Sequence, residues 1–107
     1  MAQTLKPGKP RLAFTAGVNE KIAFDSEFSK FVMQSLVRFN RGDWGDVSEQ
    51  IWEANDADLE SLNSGGWAGR ILASYQQPYD ASIIWIIRNT AVDDGTQAIT
   101  VLFPSEY

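Results

Sequence analysis

Apolar side chains between residues 25 and 40 recur at helical spacing. They fall at positions that share one face of a helix with 3.6 residues per turn: Phe28, Phe31, Val32, Leu36 and Phe39. Asp25 or Ser26 is placed to cap the start of this helix, and Gly42 lies where a left-handed C-terminal cap belongs. The pattern predicts a first long amphipathic helix.

A second long helix is predicted from about residue 47 to residue 63. In one frame Ser48 is the N-cap, with Val47 and Trp52 as the hydrophobic staple across it. In the alternative frame Asp46 is the cap and Glu49 is its capping-box partner. The glycines of "NSGG" then end the helix.

Four runs have the composition of β-strands. The first is "RLAFTAG", with Leu12 and Phe14 pointing inward and an end at Gly17, and "VNEKIAF" after it suits a helical turn or two. The others are "RILASYQQ", "SIIWIIRN" and "QAITVLFP", separated by "PYD" and "VDDG" at hairpin spacing. The middle run is apolar on both faces, which predicts a central strand.

These elements predict an α+β fold. The expected sheet is antiparallel and consists of the N-terminal strand and a C-terminal three-stranded meander, with two main helices packed mostly on one face. At 107 residues the chain suits one domain, at residues 11–107, after a flexible basic tail at residues 1–10.

Composition argues against catalysis. The chain has no cysteine and no histidine, which removes thiolate nucleophiles, zinc-finger sites and the usual general base near neutral pH. Its start has no apolar core of a signal peptide, and no apolar run approaches membrane-spanning length. We therefore expect a cytoplasmic protein that is not an enzyme, needs no cofactor and does not bind membranes.

Charge is segregated along the chain, whose net charge is −5. Residues 1–41 carry seven Lys/Arg and three acids, whereas residues 42–69 carry seven acids and no Lys or Arg. On the second helix, Glu49, Glu53, Asp56 and Glu60 fall within an arc of roughly 60° at 100° per residue. The neighbouring arc, predicted to face the core, holds Ile51, Trp52, Asn55, Leu59 and Leu62. An unmixed acidic stripe is either a solvated face or a docking surface for a basic groove.

The segment "RGDWGD" at residues 41–46 allows two interpretations. Asp43, Asp46 and Glu49 are spaced by three and offer oxygens to a divalent metal, which is the basis of a metal-dependent alternative. The favoured interpretation is a hinge, in which glycines turn the chain, Trp44 fills the junction and the carboxylates lie at a helix N-terminus. No metal ligand is therefore assigned.

Aromatic residues and the predicted sheet suggest further contact surfaces. Trp52 and Trp85 fit the core, whereas four aromatics are candidates for an exposed contact surface: Trp67, Tyr75, Tyr79 and Tyr107. The apolar central strand also allows a homodimer through an uncovered sheet face.

Several stretches together resemble a family of small "plasmid-related" proteins of bacterial plasmids, phages and other mobile elements. They are "TAGV", "FSKFVMQSLVRFNRGDWGD", "EANDADL", "IIWII" and "TVLFPSEY". The resemblance implies a mobile-element accessory protein, and by analogy an inhibitor of host defence of the anti-CRISPR kind. The turn "RNTAVDDGTQ" and the entry "GGWAGR" depart from the family pattern.

The sequence thus predicts a protein inhibitor that docks an acidic helix onto a basic, nucleic-acid-binding groove of a host protein, such as a CRISPR effector. The expected contact residues are Asp43, Asp46, Glu49, Glu53, Asp56 and Glu60. The alternative is a nucleic-acid-binding accessory protein that uses the basic N-terminal region, including Lys6, Lys9 and Arg11. The acidic remainder of the chain disfavours this alternative.

Overall fold

The computed structural model contains three helices and a four-stranded sheet and describes residues 10–66, 69–78, 80–90 and 96–107. Their order is β1 (Arg11–Phe14), α1 (Ala16–Phe24), α2 (Ser26–Asn40), α3 (Glu49–Asn63), β2 (Ile71–Gln76), β3 (Ile83–Thr90) and β4 (Gln97–Leu102), followed by a 3-10 turn (Pro104–Glu106). The α+β class is confirmed. Residues 1–9 of the predicted tail, Trp67, Tyr79 and residues 91–95 with the predicted turn "VDDG" lie outside the described residues.

The helix ends follow the capping pattern of the sequence. Asp25 is the N-cap of α2, and its Oδ1 accepts hydrogen bonds from the backbone N–H groups of Glu27 (3.1 Å) and Phe28 (3.0 Å). Ser48 is the N-cap of α3, because its Oγ accepts from the N–H of Ile51 at 3.2 Å. The frame with Asp46 as cap is therefore wrong.

The sheet has the strand order β1-β4-β3-β2 and is mixed, so the prediction of a purely antiparallel sheet is wrong. The meander β2-β3-β4 is antiparallel as predicted, with β3 inside the sheet, but β1 runs parallel to β4. All three helices and the other two strands separate β1 from β4 in sequence. No tight turn connects the pair, so nothing local imposes the antiparallel direction. The predicted end of the first strand at Gly17 is also wrong, since α1 already begins at Ala16.

One hydrophobic cluster joins all three helices to one face of the sheet. It includes Val18 from α1, Phe28 and Phe39 from α2, and Tyr75 and Ile86 from the strands. Trp52, Leu59 and Leu62 of α3 pack against it. The predicted inward position of Ile51 is wrong, since 41% of its surface is exposed. Leu12 lies on the core face, where it pairs with the buried Ile99, but 51% of its surface is exposed.

The second face of the sheet has its own small aromatic contact. By strand alternation this face carries Trp85 and Ile87, and Ile87 is buried although it lies outside the main cluster. Tyr107 packs edge-on against the ring of Trp85 at 5.6 Å, and the guanidinium of Arg70 lies 5.0 Å from the Tyr107 ring centre. The homodimer through this face stays a prediction.

Among the described residues, no helix is both long and apolar enough to cross a membrane.

Candidate functional site

The segment at residues 41–46 joins α2 to α3 and also closes one edge of the sheet. Gly45 forms an isolated parallel bridge with Ser74 of β2. The N–H of Asp46 donates to the carbonyl of Ser74 at 2.7 Å, and the N–H of Ser74 donates to the carbonyl of Trp44 at 3.2 Å. Gly45 has a φ of 75°, and a Cβ there would lie 2.0 Å from the Ser74 oxygen. Only glycine therefore fits at this contact.

Asp43 fixes the shape of this hinge. Its carboxylate accepts two hydrogen bonds from the guanidinium of Arg38, at 2.8 and 3.1 Å, and a third from the N–H of Gly45 at 3.1 Å. The hydrogen bond and charge of Arg38 lower the pKa of Asp43, and the same pairing raises the pKa of Arg38. The carbonyl of Asp43 accepts from the hydroxyl of Tyr75 at 2.7 Å.

Tyr75 is completely buried, so its prediction as an exposed contact residue is wrong. Its ring lies under the guanidinium of Arg38, 4.9 Å from ring centre to Cζ, and burial raises the pKa of its hydroxyl. Alternate residues of β2 point to the core, and Tyr75 is one of them. The prediction of an exposed residue did not take this alternation into account.

The hinge interpretation of "RGDWGD" agrees with these contacts. Gly42 has the left-handed φ of 78° expected of a helix C-terminal cap, and Trp44 is buried between α2 and α3. The metal alternative uses the carboxylate of Asp43 as a ligand. That carboxylate instead accepts hydrogen bonds from Arg38 and from the N–H of Gly45. Within the described ranges no group of three or more carboxylate, imidazole or thiol side chains is arranged to hold a metal ion.

Trp44 connects the hinge to the acidic helix. Its ring is 1% exposed and contacts the ring of Phe39 edge-on at 5.3 Å. Its Nε1 donates to Oδ1 of Asp56 at 2.9 Å. One of the predicted contact carboxylates thereby holds α3 against the hinge.

Asn55 holds α3 against the outer edge of β2. Its side-chain amide donates to the carbonyl of Leu72 at 2.8 Å, and its Oδ1 accepts from the N–H of Leu72 at 3.4 Å. Because the Trp44 carbonyl and the Asp46 N–H bond the backbone of Ser74, the outer edge of β2 is covered at both Leu72 and Ser74. The sequence placed Asn55 in the buried arc, and a polar amide among apolar positions was the signal of this role.

The carboxylates on the outer side of α3 are exposed and form no ion pair within the described residues. We define the acidic face as Glu49, Glu53, Asp56 and Glu60, all of which are exposed. Among the described residues the ion pairs are Lys21–Asp80, Lys30–Glu27 and Arg38–Asp43, so none involves the acidic face. Asp46 is also exposed, whereas Asp43 is partly covered and paired.

Apolar surface adjoins this face. Val47 and Trp52, which are partly buried, line a shallow depression together with Glu49 and Glu53. A partner therefore meets carboxylates and apolar side chains together, the composition of a protein-binding surface with a charged rim.

Comparison of the chain with models of protein families, with curated proteins and with solved structures finds no match. The resemblance to the plasmid-related family therefore stays a prediction from the motifs. The structure does bring two of those motifs together: in "TAGV" the hydroxyl of Thr15 and the N–H of Gly17 donate to the carboxylate of Glu106 in "LFPSEY", at 2.6 and 2.9 Å. These bonds and one from the N–H of Phe103 lower the pKa of Glu106.

Proposed function

We propose that this chain is a non-enzymatic protein-binding module whose acidic face docks onto a basic, nucleic-acid-binding surface of another protein. The observation that carries the proposal is a row of exposed carboxylates without a basic partner among the described residues. Like charges at this spacing cost an isolated helix about 0.2–0.5 kcal/mol per pair. A partner that supplies positive charge removes this cost.

The dimensions of the acidic face support imitation of a nucleic-acid backbone. Neighbouring carboxylates at three- and four-residue spacing lie roughly 5–6 Å apart between Cβ atoms. From Glu49 to Glu60 the row is about 16 Å long at 1.5 Å per residue. A groove that binds several phosphates presents Lys and Arg over a comparable distance, because each bound phosphate must be met by positive charge.

The orientation of α3 supports docking as a preformed surface. Trp44 bonds Asp56, and the preceding residue, Asn55, bonds the backbone of Leu72. Ser48 fixes the first turn. A helix held in this way loses little conformational freedom when it binds, which favours affinity.

The partner class follows from charge and from the family resemblance. A basic groove that normally holds DNA or RNA is the surface most complementary to the acidic face. The mobile-element motifs favour a host defence protein, and a CRISPR effector is the first candidate. The chain would act there as an inhibitor, by occupying the groove in place of nucleic acid.

Affinity capture tests this function. The bait is the full chain, and the extract is a bacterial lysate containing CRISPR and restriction proteins. The variant reverses the three acidic-face carboxylates that form no hydrogen bond within the described part of the chain, Glu49→Lys, Glu53→Lys and Glu60→Lys. We expect the wild type to retain a basic nucleic-acid-binding protein that the variant loses. Equal retention by a variant that melts at the wild-type temperature would contradict the proposal.

The purified chain also tests the alternative that it binds nucleic acid directly. Most of its contacts fall in residues 1–9, outside the described residues. Direct retention of the purified chain on DNA, decreasing steeply with salt and lost when residues 1–9 are removed, would favour it.

A further inference from the structure

The two edges of the sheet differ. The outer edge of β2 is bonded by Asn55 and by the hinge. At the opposite edge, β1 pairs with β4 on one side, and the described residues place no strand on its other side. An open edge strand offers unpaired backbone groups to a further strand.

The hydrogen-bond pattern identifies the outward backbone groups. The N–H of Thr15 donates to the carbonyl of Val101, and Phe14 is paired with Val101 in the parallel register. In a parallel ladder every second residue bonds the same neighbour, so Arg11, Ala13 and Thr15 face β4. The N–H and C=O groups of Leu12 and Phe14 therefore point to the open edge.

An apolar groove lies beside this edge, between β1 and α2. Leu12, Met33 and Val37 line it with 51%, 58% and 49% of their surface exposed, above Leu36 and Ile99. These three belong to the small set of large apolar side chains exposed in the described part of the chain. Side chains of an added strand that point to this face of the sheet would enter the groove.

The groove is positively charged although the protein is acidic. Among the described residues that line it, Arg88 from β3 is the charged one. Its Nε donates to Oε1 of Gln97, and within the described residues it forms no ion pair. Partial burial lowers the pKa of Arg88, which reflects a guanidinium without a counter-charge. A second depression beside Leu12 and Ala13 includes Arg11, the charged residue among its described lining residues.

We propose that the outer edge of β1 binds an extended peptide segment of a partner protein, which adds a fifth strand, inserts an apolar side chain into the groove and places a carboxylate on Arg88. This is recognition by strand addition: main-chain hydrogen bonds supply affinity and alternate side-chain positions supply specificity. A second copy of this chain is a poorer occupant, because its β1 would bring Arg11 and no carboxylate. The site lies at the opposite edge of the sheet from α3 and is independent of the acidic-face proposal.

Three synthetic peptides provide the probes. The first is a blocked seven-residue peptide of alternating valine and threonine with one central glutamate. The second has lysine in place of the glutamate, and the third is the first with alternate backbone nitrogens methylated. Anisotropy titration with the chain of residues 1–107 should give the first peptide the highest affinity, with both others at least tenfold weaker. No binding by the first peptide, or equal binding by the methylated one, would overturn the proposal.

Two pairs of protein variants locate the site. Leu12→Pro and Leu12→Ala both remove the leucine side chain, but only proline removes the outward N–H, and edge strands tolerate proline at such positions. We expect binding of the first peptide to be weaker for Leu12→Pro than for Leu12→Ala. Arg88→Gln should equalise the glutamate and lysine peptides, whereas Arg70→Gln, at the other sheet face, should leave their ratio unchanged. A ratio retained in Arg88→Gln would overturn the assigned carboxylate contact.

Discussion

Nε1 of Trp44 donates a hydrogen bond to Oδ1 of Asp56 across 2.9 Å, so a buried hinge residue is fixed to an exposed carboxylate of α3. The indole donor has no other hydrogen bond within the described residues. The bond explains why Asp56 differs from the other three carboxylates of the acidic face: it also positions the helix.

Asp56→Ala should destabilise the protein by about 1–3 kcal/mol, because it leaves the buried N–H of Trp44 without an acceptor. Asp56→Asn keeps an acceptor oxygen and should cost much less. Glu53→Ala, on the same exposed face, is the matched control and should be close to neutral. Urea unfolding followed by tryptophan fluorescence measures all three. Equal losses for Asp56→Ala and Glu53→Ala would show that the bond does not hold α3.

Gly45→Ala should be among the most damaging substitutions at the hinge. Alanine at positive φ costs about 1–2 kcal/mol. The contact with the Ser74 carbonyl adds about 1–3 kcal/mol of overpacking. Gly65→Ala is the control: Gly65 has a φ of 81° but no atom within 4 Å of its Cβ position. Chemical denaturation of both variants should show the larger loss at Gly45, and equal losses would argue against the bridge to β2.

Some of this architecture was readable from the sequence, because it depends on neighbouring residues. The 3.6-residue period of α2, its Asp25 cap and the Gly42 terminator are local signals, and all are found. The parallel pairing of β1 with β4 was missed, since no turn connects these strands. Tyr75 was missed as well: the alternation of β2 turns it toward the core, where its hydroxyl and ring contact Asp43 and Arg38, which are distant in sequence.

The acidic face was also predictable in part, as far as it depends on local helical spacing. Helical spacing alone places Glu49, Glu53, Asp56 and Glu60 together, and all four are exposed. Spacing did not separate the free carboxylates from Asp43, which is paired with Arg38, or from Asp56, which is bonded to Trp44. Those contacts join the hinge to α2 and to α3, so they depend on how the hinge folds and not on helical spacing.

Asn55→Leu should lower the free energy of unfolding, because it uncovers the edge of β2 at Leu72. The substitution retains the volume of a buried side chain but leaves the N–H and C=O of Leu72 without the partners that Asn55 supplies, and each group left unpaired costs about 1–3 kcal/mol when buried. Gln50→Leu, on the exposed side of α3, is the control for an added leucine. Hydrogen exchange of the Leu72 amide should accelerate in Asn55→Leu and stay at the wild-type rate in the control. Unchanged exchange in both would contradict the role of Asn55.

Acid should weaken the hinge through Asp43. Arg38 holds the folded pKa of Asp43 below its usual value of about 3.9. Its contribution to stability is therefore complete above that usual pKa and is lost as pH falls through the lower folded pKa. Asp43→Asn keeps an acceptor for Gly45 but loses the charge. The stability difference between wild type and this variant should be largest near pH 6 and should shrink below pH 4. A difference that is constant with pH would contradict the ion pair.

The central claim is that the acidic face docks onto a basic, nucleic-acid-binding surface, and a matched charge-reversal titration tests it most directly. The partner retained in affinity capture, or a purified CRISPR effector free of nucleic acid, is titrated with wild type, with Glu53→Lys/Glu60→Lys and with Glu20→Lys/Glu27→Lys. Both variants change net charge equally, and Glu20 and Glu27 are exposed on other helices. We predict at least a hundredfold loss of affinity for the α3 pair, little change for the control pair, and displacement of the wild type by DNA. Equal effects of the two pairs, or binding unaffected by DNA, would contradict the account.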